Sequence, residues 1–373
     1  MDASDEISSP AFDESDANRG DTDNNVPRLR VDDAGELIAA IPAMLGFVPT
    51  RSLVMALLST DAIPEGDQSI RAVMRFDIDA AADPAEVRHL ANVVESVCLR
   101  ENLPSTMLIA VDDRPNASTT AEEVLHHLIW AGIEPSHAWW VCEITTGAGY
   151  QDLLTPGRDG RVDDPRASTV AFAHVLEGNQ IYGSREELAD LLIPNADLAA
   201  QLQPHIGAAA DRYRDNLADA EDAGHAIAFR RDAIEWMLAQ ISTASKTPPT
   251  EENLATIVAL LRDRFIRDIM FALSATEHRV PAEALWRQIA SATQGPDRAG
   301  AATLFGYSAY HHGNTVVAGI AIAAALHANP DHVMANLLDL ALRECIRPDQ
   351  IHRMADTGRE IAAELGIDIT TTV

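Results

Sequence analysis

Six residues in the first third of the chain have types and spacing that chemistry could use. Asp77 and Asp79 close one strand-like run, Asp112 and Asp113 close another, and Arg51 and Ser52 form the turn that feeds the first strand. In parallel α/β sheets, ligands bind outside the carboxyl ends of the strands. Four carboxylates in such a crevice could hold a divalent cation or share a proton. The plainer alternative is that Asp follows strands because it forms turns and caps helices. Arg51 could bind an anion with the help of the Ser52 hydroxyl, and a turn that merely leads into a strand explains the same residues.

The remaining reactive residue types read as structural. His126-His127 falls inside a helical pattern, where neighbouring rings diverge and cannot chelate one ion. His311-His312 falls at a helix end, where the dipole favours a partly charged imidazole. Gly306-Tyr307-Ser308-Ala309-Tyr310 lacks the second glycine of a nucleophile elbow and follows no strand. Cys98, Cys142 and Cys345 are scattered and odd in number, so they read as buried reduced thiols rather than a four-cysteine metal site. No metal and no cofactor is expected. Trp139 and Trp140 face opposite sides of a strand, which puts one in the core and leaves the other to line a pocket or interface.

The elements that position these residues follow from periodicity. Residues 1–27 carry many acids against the single cation Arg19 and few apolar residues, so this tail is expected to be disordered. Residues 28–165 read as an α/β domain. Leu37, Ile38 and Ile41 mark a short helix interrupted by Pro42 and Gly46. Leu53 to Leu58 reads as a strand covered on both faces. Ile70 to Ile78 alternates and pairs with it as a hairpin, with Ile70, Ala72, Met74, Phe76 and Ile78 on one face. Asp83-Pro84-Ala85-Glu86 starts a helix. Thr106 to Val111, a helix capped at Thr119-Thr120, and Ala138 to Ile144 complete a strand–helix–strand series that predicts right-handed crossovers and largely parallel pairing. Tyr150 to Asp164 reads as a loop.

Residues 166–373 read as all-helical. Ser184 and Thr250 begin helices, the second running long through Leu254, Ile257, Val258, Leu261 and Phe265. Prolines or short polar breaks open the rest. Gly306, Gly313, Ala318, Ala325 and Pro330 fall at the spacing of the small residues and closing proline of a tetratricopeptide repeat. An ordinary helical hairpin within a bundle accounts for them as well.

Composition narrows the function classes. The chain has 373 residues, with 28 Lys+Arg against 57 Asp+Glu and a formal charge of −29. That balance argues against nucleic acid and anionic membranes as partners, since both require clustered cations. Lys246 is the sole lysine and no glycines precede it, which excludes a phosphate-binding Walker loop. The longest apolar stretch, Val316 to Leu326, is too short to span a bilayer. No signal-peptide pattern opens the chain. A soluble, cytoplasmic protein is expected.

Several segments together resemble a known family. Leu37-Ile38-Ala39-Ala40-Ile41-Pro42, Leu45-Gly46-Phe47-Val48-Pro49 and Ser52-Leu53-Val54 resemble the opening of the actinobacterial domain-of-unknown-function 4192 family. Asp163-Asp164-Pro165-Arg166-Ala167-Ser168 fits its central segment. Ser308-Ala309-Tyr310, Asn329-Pro330-Asp331-His332 and Arg347-Pro348-Asp349-Gln350-Ile351 look like its C-terminal helices. The resemblance spans most of residues 29–366 and implies no particular activity. Family members often carry further cysteines after the tryptophan-containing strand, whereas here Cys142 is followed by Thr145, Thr146 and Gly147.

Two functions stay open. One is a binding or scaffold protein that meets a protein partner through its helical C-terminal half. The other is an enzyme using the Asp77, Asp79, Asp112 and Asp113 crevice or the Arg51-Ser52 loop. Oligomeric state is not legible from the sequence.

Overall fold

The computed structural model describes residues 34–59, 69–79, 83–176, 180–244 and 247–369. The acidic tail at 1–27 lies outside them. Six strands form one sheet: β1 (Ser52–Ser59), β2 (Ser69–Asp77), β3 (Ser105–Val111), β4 (His137–Val141), β5 (Gly149–Asp152) and β6 (Gly160–Arg161). Among the described residues no strand follows Arg161.

The sheet order is β2-β1-β3-β4-β5-β6. Only β3 and β4 pair in parallel; β1 is antiparallel to both β2 and β3, and β5 is antiparallel to β4 and β6. The expectation of largely parallel pairing is therefore wrong, and the reason is topological. The crossovers through α2 (Pro84–Glu101) and α3 (Ala117–Trp130) do make β2, β3 and β4 point the same way. Common direction does not require adjacency, however, and β1 is inserted antiparallel between β2 and β3. A further correction concerns Tyr150 to Asp164. This segment is not a plain loop but supplies β5 and the edge strand β6, both short and with too few apolar residues to show a period.

In β2, the pairing skips Arg71: Leu57 faces Ala72 and Leu58 faces Ile70. This bulge shifts the phase. Ala72, Met74, Phe76 and Ile78 therefore share one side of the sheet, whereas Ile70 turns to the other with Val73.

Helices cover both faces. On one, α2 and α3 pack Val87, Leu90, Val94, Val124 and Leu128 against Leu53, Met55, Leu57 and Leu108. On the other, α1 (Ala34–Leu45) and the helical half pack against Val54, Ala56, Leu58, Ile109 and Trp139. α1 is almost wholly buried and contains Pro42 without interruption; it ends at Gly46. A side chain at Gly46, whose φ is +78°, would meet the Asn314 amide at 2.9 Å.

The helical half comprises α4 (Thr169–Leu176), α5 (Arg185–Asp190), α6 (Ala196–Asp222), α7 (Ala226–Ala244), α8 (Glu251–Leu261), α9 (Arg264–Met270), α10 (Arg279–Ala292), α11 (Gly295–His311), α12 (Thr315–Ala328), α13 (Val333–Arg343), α14 (Pro348–Ile351) and α15 (Arg353–Glu364). Start signals act locally. Ser184 accepts the Glu187 amide at 3.1 Å, Thr250 accepts that of Asn253 at 3.2 Å, and Asp83 accepts that of Ala85 at 2.8 Å. Two signals were misplaced. α3 begins at Ala117, so Thr119 and Thr120 lie inside its first turn rather than at its cap. The long helix expected after Thr250 stops at Leu261, because the Asp263 carboxylate caps α9 by accepting the Phe265 amide at 2.9 Å.

α11 is the hub of this half, buried along its length from Arg298 to Tyr310. It forms a close hairpin with α12. A Cβ at Gly306 would stand 2.9 Å from Ile322 Cδ1 and 3.2 Å from Ala321 Cβ. No helix among the described residues is long and apolar enough to cross a membrane.

Candidate functional site

Because β2, β3 and β4 run in one direction and β1 opposes them, the ends of the first three and the start of β1 meet along one edge. Register makes this concrete: Ser52 lies opposite Asp77 on one side and Val111 on the other. The sequence-chosen residues Arg51, Ser52, Asp77, Asp79, Asp112 and Asp113 are thus brought to the same edge of the sheet, with Cys142 just past β4.

The centre of this edge is a residue that sequence reasoning missed. Arg114 donates from Nε to Asp112 Oδ1 at 2.9 Å and from Nη2 to Asp112 Oδ2 at 2.7 Å, and its Nη1 reaches Asp79 Oδ1 at 2.5 Å. Its backbone amide also donates to Asp112 Oδ1 at 3.1 Å. Two-pronged guanidinium–carboxylate pairing is among the strongest polar contacts in proteins. The Asp112 side chain is 1% exposed. The Arg114 hydrogen bonds hold its carboxyl below the usual carboxylate range, against the opposing effect of burial, and Arg114 is shifted upward in turn. An Asp in this state is a fixed anion inside an ion pair. It is unsuited to sharing a proton with its neighbours.

The backbone locks Asp112 as well. Its amide donates to Val141 O at 3.1 Å, continuing the β3–β4 ladder, and its carbonyl accepts the Trp140 indole N–H at 3.2 Å. Asp77 accepts the Asp79 amide at 3.0 Å, an ordinary Asx turn. Asp77, Asp79 and Asp113 are exposed. No group of three or more His, Cys, Asp or Glu side chains that could hold a metal ion occurs among the described residues.

In the Arg51-Ser52 loop, Ser52 is completely buried, donates its hydroxyl proton to Thr50 O at 2.7 Å, and accepts from Arg75 Nε at 2.8 Å. Its donor is committed internally, which holds the turn into β1. Arg51 itself is exposed at a left-handed φ of +43° and passes its carbonyl to the Ile78 amide at 3.2 Å. Burial lowers the pKa of Arg75, partly countered by Asp77.

Cys142 is exposed rather than buried. Local burial and then Glu143, Asp113 and Asp112 push its thiol upward, so it stays protonated. Of the tryptophan pair, Trp139 is 3% exposed in the core, and Trp140 lines a shallow depression of about 480 Å3 with Gln151, Asp159 and Arg161.

The His311-His312 pair is at the end of α11, as the pattern indicates, but for His311 the dipole does not set the charge. His311 stacks on His352 with ring centroids 4.0 Å apart, and its Nδ1 is buried with no hydrogen-bond partner among the described residues. Burial, then the neighbouring His352 and His312, lowers its pKa to about 3. Desolvation outweighs the helix terminus here.

No curated protein and no solved structure matches the chain. A family profile does, over residues 35–349, a span that takes in β1, Arg114, the tryptophan strand and α11 to α13. The chain belongs to the family described as Domain of unknown function (DUF4192).

Proposed function

We propose that the chain is a binding protein that engages a protein partner through its helical C-terminal half, with α13 as the contact helix. The observation that supports this reading is a row on the outer face of α13. Val333, Leu337 and Leu340 are 73%, 54% and 55% exposed and fall at i, i+4 and i+7, while Ala335 and Leu338 face inward. Single exposed apolar residues are common, but an aligned row on one helix is the pattern of helix-in-groove recognition. The α11–α12 hairpin beneath it, with small residues at tetratricopeptide-like positions, gives α13 a rigid base.

The test places a photo-crosslinking residue at Leu337 in the full chain and examines adducts formed in cells. A discrete adduct with another protein is expected, and it should vanish when Val333 and Leu340 are both changed to Asp without a change in melting temperature. An adduct of equal yield in that double variant refutes the reading.

A second reading, an enzyme of the strand ends, is favoured by the convergence of Arg51, Asp77, Asp79, Asp112 and Asp113 along one edge. Turnover of any substrate that is lost on Arg51→Ala or Asp113→Asn, and retained when α13 is altered, would move the conclusion there.

A further inference from the structure

A second feature of the helical half stands apart from α13. α6, α7 and α8 leave between them a cleft of about 210 Å3 lined chiefly by carbon. Each helix contributes one regular stripe: Ala209, Arg212, Tyr213 and Asn216 from α6, Phe229, Ala233 and Trp236 from α7, and Thr256 and Leu260 from α8. The space exists because alanine stands at 209 and 233, where larger residues would join the helices. Three aromatic side chains form the walls. Tyr213 and Phe229 lie with ring centroids 5.5 Å apart and planes tilted by 31°.

The walls are held in place. Tyr213 donates its hydroxyl to Asp263 Oδ2 at 2.7 Å, and Arg230 Nε donates to the same oxygen at 2.8 Å. Burial and the Asp263 bond push the phenol upward, so Tyr213 stays neutral, and Arg230 balances the Asp263 charge. That leaves Arg212 as the one charged residue lining the cleft among the described residues. Its ion pair is loose: Glu252 lies 4.0 Å away, and the two side chains are 59% and 79% exposed. Such an exposed pair is screened by solvent and contributes little, so a better-placed anion displaces it readily.

We propose that the α6–α7–α8 cleft is a binding site for a small aromatic monocarboxylate, its ring packed against the Tyr213–Phe229 pair and Trp236 and its carboxylate on Arg212. Size sets the class: the volume lies below the ~300–1,000 Å3 of sites for drug-sized ligands, which suits one ring and a short chain. Charge sets the sign, because the guanidinium fork matches a carboxylate and repels an amine. The site is independent of α13 and of the strand ends.

Three matched probes test it on the full chain: 3-phenylpropionate, 3-phenylpropanol and 3-phenylpropylamine. The readout is the indole N–H resonance of Trp236, assigned by its loss in Trp236→Phe. The acid should shift that resonance saturably and bind at least tenfold tighter than the alcohol, with the amine weaker still. Arg212→Gln should bring acid and alcohol to equal affinity. Ala233→Leu, and independently Thr256→Met, should fill the cleft and abolish binding of all three. No saturable shift with the acid, no preference for it over the alcohol, or unchanged binding in a correctly folded filled-cleft variant would each overturn the proposal.

Discussion

His311 shows how a single side chain couples this fold to pH. In the unfolded chain it titrates near the ordinary histidine value, whereas in the fold its pKa is lowered to about 3. Between those values the unfolded state binds the extra proton, so stability rises with pH across that window and is lost as pH falls through it. Thermal melts from pH 7 to pH 4 should show the wild-type chain losing stability more steeply than His311→Gln. Equal slopes would show that His311 does not carry the effect. The same contest between desolvation and local charge explains what was legible at the strand ends. The positions of Asp77, Asp79, Asp112 and Asp113 were readable because strand ends are. Their state was not, because it depends on Arg114, a residue of the following turn whose side chain folds back onto Asp112. The hydrogen bonding of Ser52 was not legible for a similar reason: which carbonyl its hydroxyl serves, Thr50 O, is set by the fold.

At the scale of elements, periodicity marked the first four strands and the helices α1, α2, α3, α5 and α8, because apolar spacing follows directly from pleat and helix geometry; it did not mark the long α6 and α7. It did not identify neighbours. A crossover fixes the direction of β2 and β3 but not which strands are neighbours, and β1 is inserted between them. The short strands β5 and β6 were invisible because they bury little. The α11–α12 crossing is the counter-example, where spacing of small residues correctly marked close approach. It yields a prediction. Gly306→Val would drive methyl groups into Ile322 and Ala321, and should cost about 1–3 kcal/mol, the range for overpacked cores. Chemical denaturation would measure it. A loss under half of the lower figure would mean that α12 shifts outward without penalty.

The whole molecule is organised around a core that ignores the change from strands to helices. One continuous cluster takes in Val54, Ile109 and Trp139 of the sheet together with Ile234, Ile257, Leu285 and Leu304 of the helices. Residues 34–165 expressed alone would leave the α1 face of the sheet uncovered, and are expected to be insoluble. A soluble fragment with a cooperative melt would contradict this. A strap across the outer layer adds to the union: Arg100 on α2 donates to Glu344 O at 2.8 Å, and Glu101 pairs with Arg347 at 3.1 Å. The enclosure of α1 also has a consequence during synthesis. Gly46 seats against Asn314, which leaves the ribosome about 270 residues later, so at ~5–20 residues per second this one contact forms tens of seconds after α1 is made. Until then the apolar surface at that end of α1 faces water or a chaperone.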